Sequence, residues 1–578
     1  MKHAVRTSGL ALVLLAAAAA SRAQDRPVDK MAEMVMATPM SMGLPLSRMP
    51  SIYAGEADKP GAPVFKGLGS HHMSISTKNA ATQRFFDQGV NLLFGFNHAE
   101  AIRSFREAAR LDPNCAMCWW GMAFALGPNI NLPMPDDAIP PAWQATQRAV
   151  LLAPKASARE RAWIAVLDAR YSMNPKADRH ALDEAFAQAM AKLWRDHPDD
   201  TDAGTFYAEA MMDTQPWDYW QPDGVVAKGH GAEIVSTLEA VLRQAPQHPG
   251  ALHLYLHAVE ATTTPERAEH AADLLLTLMP EAGHIVHMPS HIYYRVGRYA
   301  DAARVNELAA KVDETYIATC KAQGFYPAGY YGHNIHFLWT SAEMQGRYQT
   351  SIDASRRLVK AVDAEKLSQT MPNAELYAFT PVATLLRFGR WTAILAERAP
   401  PTSLILDRAV WTYARGFAHA NTGAASAAQA DRKALDALTK ADMKRYDAFG
   451  IPTAPMIQIM IALLDGEMAR TSGNLPGAVT AFQKARALEV ALPYTEPPYW
   501  HQPTSHLLGA ALLQSKRPSE AEAVYRDSLK TYRDDGWALF GLEQALAAQG
   551  KTADAARTHT AFTEAWRMSD TALTSSRL

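Results

Sequence analysis

The sequence predicts an all-α protein, a right-handed superhelix (α-solenoid) of stacked helix–turn–helix pairs. Three observations carry that expectation. Small residues, an aromatic and a closing proline recur with a period of about 34 residues. Few strand-like alternating runs interrupt them. The chain has 578 residues, 48% of them hydrophobic, and a repeat array of that length buries one continuous core without separate domains.

The clearest unit begins at Thr82. Counting from there, Gly89 stands eighth, Ala101 twentieth, Phe105 twenty-fourth, Ala108 twenty-seventh and Pro113 thirty-second. Small residues at the eighth and twentieth places let the two helices approach, and Phe105 fills the gap between neighbouring pairs. Pro113 ends the second helix because it lacks the N–H that the hydrogen-bond ladder needs. This segment closely resembles the tetratricopeptide family. Further units start at Pro249, Gly283 and near Gly332, and the last two share Gly-Arg-Tyr turns at Gly297–Tyr299 and Gly346–Tyr348. Others run through Leu386–Trp391 and Met456–Val490, then begin near Gln502 and Gly536. The pattern degenerates at about residues 130–230 and 360–450.

The N-terminus reads as a secretory signal. Lys2 and Arg6 precede an apolar run, Leu10 to Ala20, and Ser21-Arg22-Ala23 fits a small-x-small cleavage site after Ala23. The run is too short for a comfortable membrane span, and no second run in the mature chain is long enough. The expectation is therefore an exported, periplasmic protein. Residues 24–78 are rich in Met and Pro and read as an extended arm; repeats then occupy 79–350 and 351–578. The three cysteines, Cys115, Cys118 and Cys320, exclude a disulfide scaffold. Cys115 and Cys118 would close a small loop in an oxidising compartment. A net charge of −2 shows no basic excess, which argues against nucleic acid as a partner. No phosphate-binding loop, dinucleotide fingerprint, HExxH or GxSxG is present.

The histidines carry the functional expectation. The resemblance implies that the first helix of each unit lines a concave groove with its second, fifth, ninth and twelfth residues, and helical periodicity puts these on one face. His253, His257 and Glu260 fall on those places in the Pro249 unit, His284, His287 and His291 in the next, and His333 and His336 in the third. Aligning Thr201–Asp213 with the Pro249 unit puts Glu209 where His257 sits. Seven of the chain's 20 His thus converge on three successive helices. Imidazole is the commonest side-chain ligand of transition metals, and with a carboxylate it suits copper, zinc or iron. Seven imidazoles exceed the need of one tetrahedral site, so two metals fit, with surplus His or Glu as orienting groups or a general base. Pro289 complicates the third helix. The run His287-Met288-Pro289-Ser290-His291 reads as a turn with Ser290 as a new cap, which would put His284 and His287 on a loop.

His253-x-x-x-His257, His284-x-x-His287-Met288-Pro289-Ser290-His291-x-x-x-Arg295 and His333-Asn334-x-His336 also resemble a little-characterised group of exported bacterial tetratricopeptide proteins. That resemblance implies the architecture and no particular reaction. Two functions stay open on the sequence: a metal-binding protein, as an enzyme or not, or a scaffold that holds a protein or peptide partner in the groove. The Met-rich arm (Met31, Met34, Met36, Met40, Met42 and Met49) supplies soft thioethers suited to Cu(I), but a low-complexity linker is the favoured reading.

Overall fold

The computed structural model describes residues 49–578 apart from 175 and 321–325. The expected signal and most of the Met-rich arm lie outside the described residues. Ser47–Leu578 form one compact unit. Among the described residues every regular element is helical, and only two isolated β-bridges occur, Asn129 with Leu132 and Trp220 with Ala227.

Helices pair as antiparallel neighbours along the chain. Ala80–Phe94 packs on His98–Leu111, Gly332–Met344 on Tyr348–Ala361, Thr453–Thr471 on Leu475–Val490, and Gly536–Ala548 on Thr552–Ala565. The degenerate stretches pair in the same way: Arg179–Asp196 with Thr201–Thr214, and Ile405–Asn421 with Ala425–Leu438. Side-chain caps start many of them. Asn79 accepts from the backbone of Ala81 and Thr82, and Ser157 with Glu160 forms a capping box. The fold is therefore a tetratricopeptide-like α-solenoid.

The repeat code has a direct steric meaning. A Cβ added at Gly89 or at Gly121 would lie 2.5 Å from the ring of Phe105, so one aromatic fills the space that two glycines leave. Gly509 and Gly541 do the same for Tyr525, each leaving 2.2 Å to an added Cβ. The same lock thus closes repeats at both ends of the chain.

The superhelix does not stay open. Its last repeats fold back against its middle: Trp537 Nε1 donates to the carbonyl of Glu343 at 2.9 Å, and Arg533 pairs with Glu266 at 3.0 Å. The turn glycines Gly297 (φ +86°) and Gly346 (φ +66°) lie at this closure, against the backbone of Arg533 and the ring of Trp566. A side chain at either would be strained by its φ and would meet a neighbour. The C-terminal tail returns inward too, with Arg577 paired to Glu467. Residues 49–78 of the expected arm dock on the helices. Tyr316 OH donates to Glu56 at 2.6 Å, Glu281 N to the carbonyl of Gly67 at 3.1 Å, and Met73 is buried.

Phe105→Ala should lower stability by about 3–5 kcal/mol and Gly89→Val by about 1–3 kcal/mol, read by chemical denaturation. The double variant should cost less than the sum, because the new valine enters the space the ring vacates. Strict additivity would break the steric link between the two positions.

Candidate metal centre

Three stretches build the site. The helix Pro249–Val259, capped by the side chain of His248, carries His253 and His257 one turn apart, and Glu260 follows at its end. The short helices Gly283–His287 and Pro289–Arg295 carry His284, His287 and His291. Gly332–Met344 adds His333. Pro289 does not make the expected turn. Met288 keeps helical dihedrals, Pro289 takes the first helical place where no N–H is required, and Ser290 caps nothing. His284 and His287 therefore stay on a helix. The expected open groove is corrected in another respect: His253, His257, Glu260, His284, His287 and His291 are each 3% exposed or less. The closure of the superhelix covers the surface they line.

The hydrogen bonds reveal how the rings are aimed. His253 Nδ1 donates to the carbonyl of Phe94 at 2.6 Å. His257 Nδ1 and His291 Nδ1 donate to the two oxygens of Glu260, at 2.8 and 2.6 Å. His287 Nδ1 donates to Asn306 Oδ1 at 2.6 Å, and Asn306 is itself oriented by its amide N–H bond to the carbonyl of Ala302. Four rings thus hold a proton on Nδ1, and a ring so held binds metal through its Nε2 lone pair. Those Nε2 atoms point at one another. His287 Nε2 lies 2.9 Å from His291 Nε2, and His253 Nε2 lies 3.2 Å from His284 Nε2. His257 Nε2 has no hydrogen-bond partner at all. At these distances the nitrogens of each pair share either a proton or a cation. Nitrogens that share one metal at about 2.0–2.1 Å are about 3–3.5 Å apart.

The ligand atoms form two triplets, His253/His257/His284 and His287/His291/His333, linked by a third group, His257/Glu260/His291, and within each group all lie within 4.8 Å of one another. Burial pulls the pKa values of His253, His284, His287 and His333 well below the ordinary imidazole range, and neighbouring imidazoles add to the effect. Burial lowers His257 as well, against the opposing pull of Glu260. Neutral rings are the form that binds metal. Burial pushes the Glu260 carboxyl up, but its contacts with His291 and His257 outweigh that and hold it ionised.

Aromatic rings wall the site. Phe96 lies over the first triplet, with ring centroids 4.6 Å from His253 and 5.4 Å from His284. Phe337 lies over the second, 5.0 Å from His287, 4.8 Å from His291 and 5.2 Å from His333. Trp217 meets His257 edge-on at 4.9 Å. Phe96 (φ 53°) and Trp217 (φ 64°) are two of four non-glycine residues with positive φ among the described residues. Such backbone costs on the order of 1–3 kcal/mol and clusters where geometry serves function. From the far end of the chain, Tyr494 reaches in. Its hydroxyl lies 2.8 Å from Glu496 Oε1 and 3.3 Å from Glu260 Oε2, beneath the guanidinium of Arg295. Burial raises Glu496 to about 7, against the opposing charge of Arg295. Its Oε2 has no partner, so a carboxyl able to give or take a proton stands beside the centre.

Two expected members stand elsewhere. Glu209 lies among Arg170, Asp183 and Asp213, where burial raises it to about 7 against the charge of Arg170. His336 stacks on Trp339 and meets Tyr377 edge-on, and burial lowers it to about 3. A separate grouping, His71, Asp202 and His248, has metal-like spacing, but its hydrogen bonds argue otherwise. His248 Nδ1 accepts from the N–H of Ala251, so its proton is on Nε2, where it donates to Asp202 at 3.2 Å. That ring caps a helix and has no lone pair to offer. Cys115 and Cys118 are joined as a disulfide, and Cys320 is free and buried.

Phe96, Asn306, Tyr494 and Glu496 went unrecognised in the sequence. A search for unused polar side chains on neighbouring repeats would have found Asn306; the others depend on chain closure.

No model of a known protein family matches the chain, and no curated protein matches it. Among solved structures it is similar to the human IFIT1 dimer with PPP-AAAA, at 11% identity and a TM-score of 0.34, over 85% of this chain and 91% of that one. It is similar also to yeast Tom70, at 13% identity and a TM-score of 0.27, over 86% and 93%. Likeness at this level carries no argument about the site.

Buried histidines make stability depend on pH. Burial lowers His336 and His501 to about 3 and His98 to about 4. Their folded values lie below the unfolded value of about 6.5, so the unfolded chain binds more protons in acid. Their contribution is complete above pH ~6.5 and is lost as the pH falls toward the folded values. Metal-free protein should lose up to ~1.4 kcal/mol per pH unit for each such group between about pH 6 and 4. Denaturant titrations at pH 7.5, 5.5 and 4.5 measure it, and a flat profile would contradict neutral burial.

Proposed function

We propose that this chain is an exported protein that binds transition metal at its buried histidine centre, as a metalloenzyme. The observation that carries the reading is the arrangement of the rings: four hold Nδ1–H outward on Phe94, Glu260 and Asn306, while their Nε2 atoms face inward. Metal-ligating histidines are held in this way by carboxylate and carbonyl partners. Copper, zinc and iron are the ions the donor set favours. His253, His257, His284, His287, His291 and His333 would be the ligands, and Glu260 the orienting carboxylate.

A metal held there by three imidazoles would supply Lewis acidity toward a substrate or water. The surrounding residues do the rest. Phe96, Phe337 and Trp217 exclude bulk water. Glu496 holds or releases a proton at Oε2, and Tyr494 links it to Glu260. The residues at the N-terminus that read as a signal support export, and the Cys115–Cys118 bond fits an oxidising compartment.

A second reading keeps the scaffold role. Trp217, Val225 and Val226 are exposed at 44%, 63% and 53% on one loop beside the centre. That apolar loop suits a protein or peptide partner better than the buried imidazoles do.

Elemental analysis of mature protein, purified without a histidine tag, tests the proposal. Stoichiometric copper, zinc or iron is expected, and a folded His257→Ala/His291→Ala variant should lose it. Glu260→Gln keeps every ligand and should weaken metal affinity by about 10–100-fold. A metal-free wild type that takes up no added metal would overturn the reading and leave the partner-binding scaffold.

A further inference from the structure

We propose that the centre is dinuclear and holds a pair of copper ions, one on each histidine triplet, with a small oxygen ligand between them. This rests on the metal-binding reading above and extends it to ion number and identity.

The two triplets share no residue. They also adjoin: His257 and His291 have ring centroids 5.3 Å apart, and His284 and His287 5.8 Å apart. A single ion would serve one triplet and leave the converging Nε2 atoms of the other without a metal. The 2.9 Å approach of His287 to His291 and the 3.2 Å approach of His253 to His284 are separations that a shared cation fits, and they belong to different triplets. Glu260 spans the two sites. One oxygen holds His257 of the first triplet and the other holds His291 of the second, so a single carboxylate fixes their spacing. Each triplet has its own phenylalanine wall, Phe96 or Phe337.

Charge selects the metal. Imidazole is an uncharged ligand, and the nearest fixed charges, Glu260 and Arg295, cancel. Two divalent ions would bring four positive charges into a buried space with no anionic ligand, at a high desolvation cost. Copper meets the constraint in two ways. As Cu(I) it brings half the charge, and as Cu(II) it gains from an oxygen anion bridging the two open positions. Imidazole suits copper, and Cu(II) heads the affinity order of the divalent first-row ions. The bridging ligand is of hydroxide or dioxygen size, since aromatic rings wall the space.

Metal-free protein would be titrated anaerobically with cuprous ion, and a second sample loaded with cupric ion for electron paramagnetic resonance. Two equivalents of cuprous ion per chain are expected. The cupric pair should be nearly silent in resonance because a shared oxygen ligand couples the two spins. The variants His253→Ala/His284→Ala and His287→Ala/His333→Ala should each hold one ion and show a full one-spin signal. Stoichiometry and spin count on the wild type decide the matter even where a variant does not fold. One equivalent in the wild type, or two equivalents with two uncoupled spins, would overturn the pair while leaving metal binding intact. Uptake of zinc with exclusion of copper would overturn the choice of metal. Failure to take up any metal would overturn the metal-binding reading as well.

Discussion

The carboxylate of Glu260 is the contact on which the centre depends. It is 1% exposed, and it keeps its charge only because two imidazoles donate to it. An ionised carboxylate buried without such partners would be protonated. The two donors come from different helices, His257 from Pro249–Val259 and His291 from Pro289–Arg295. Glu260 therefore does two things at once. It joins neighbouring repeats through their polar faces, and it decides which nitrogen of each ring carries the proton. Arg295 extends the arrangement by donating to the carbonyls of Glu260 and Thr262, which fixes the backbone at the end of that helix.

Repeat architecture and histidine chemistry were legible in the sequence to different depths. Steric locks are local in the repeat, so Gly89, Phe105 and Ala108 announce themselves by spacing alone. His253 and His257, one turn apart, likewise predict a common face. Stretches such as Thr201–Thr214 lost the repeat signature but kept helix pairing, because pairing needs an apolar face and not the particular small residues of the code. Alignment by repeat position failed for Glu209. Its helix has the right register, but Arg170 and Asp213 make a separate buried charge group there, and register says nothing about which charges gather. His336 is one helical turn from His333 yet faces Trp339 and Tyr377, because its neighbours are set by packing with the next repeat.

Chain closure was the part no local pattern announced. An open superhelix would expose its concave histidines to any acidic peptide. Here Tyr494, 234 residues along the chain from Glu260, comes within hydrogen-bonding reach of it, and Arg533 lies against the turn at Gly297. The closure uses positions that a periodic reading treats as ordinary turns and loops. A solenoid closed in this way exchanges a recognition groove for an interior, and an interior is where neutral imidazoles and a low dielectric are maintained.

That exchange also explains where the backbone is strained. Phe96 and Trp217 have positive φ with bulky side chains, and both rings touch histidines of the first triplet. Glycine would fit their backbone at less cost but would bring no ring to the site. A fold that places two such residues against the same group of imidazoles is spending conformational energy on the shape and dryness of that space. Packing between repeats does not require it, since the glycine–aromatic locks already close the repeats without strain at Gly89 and Phe105. Of the four such residues described, Lys516 and Asp534 stand at turns between helices, whereas Phe96 and Trp217 both lay their rings against the histidine centre.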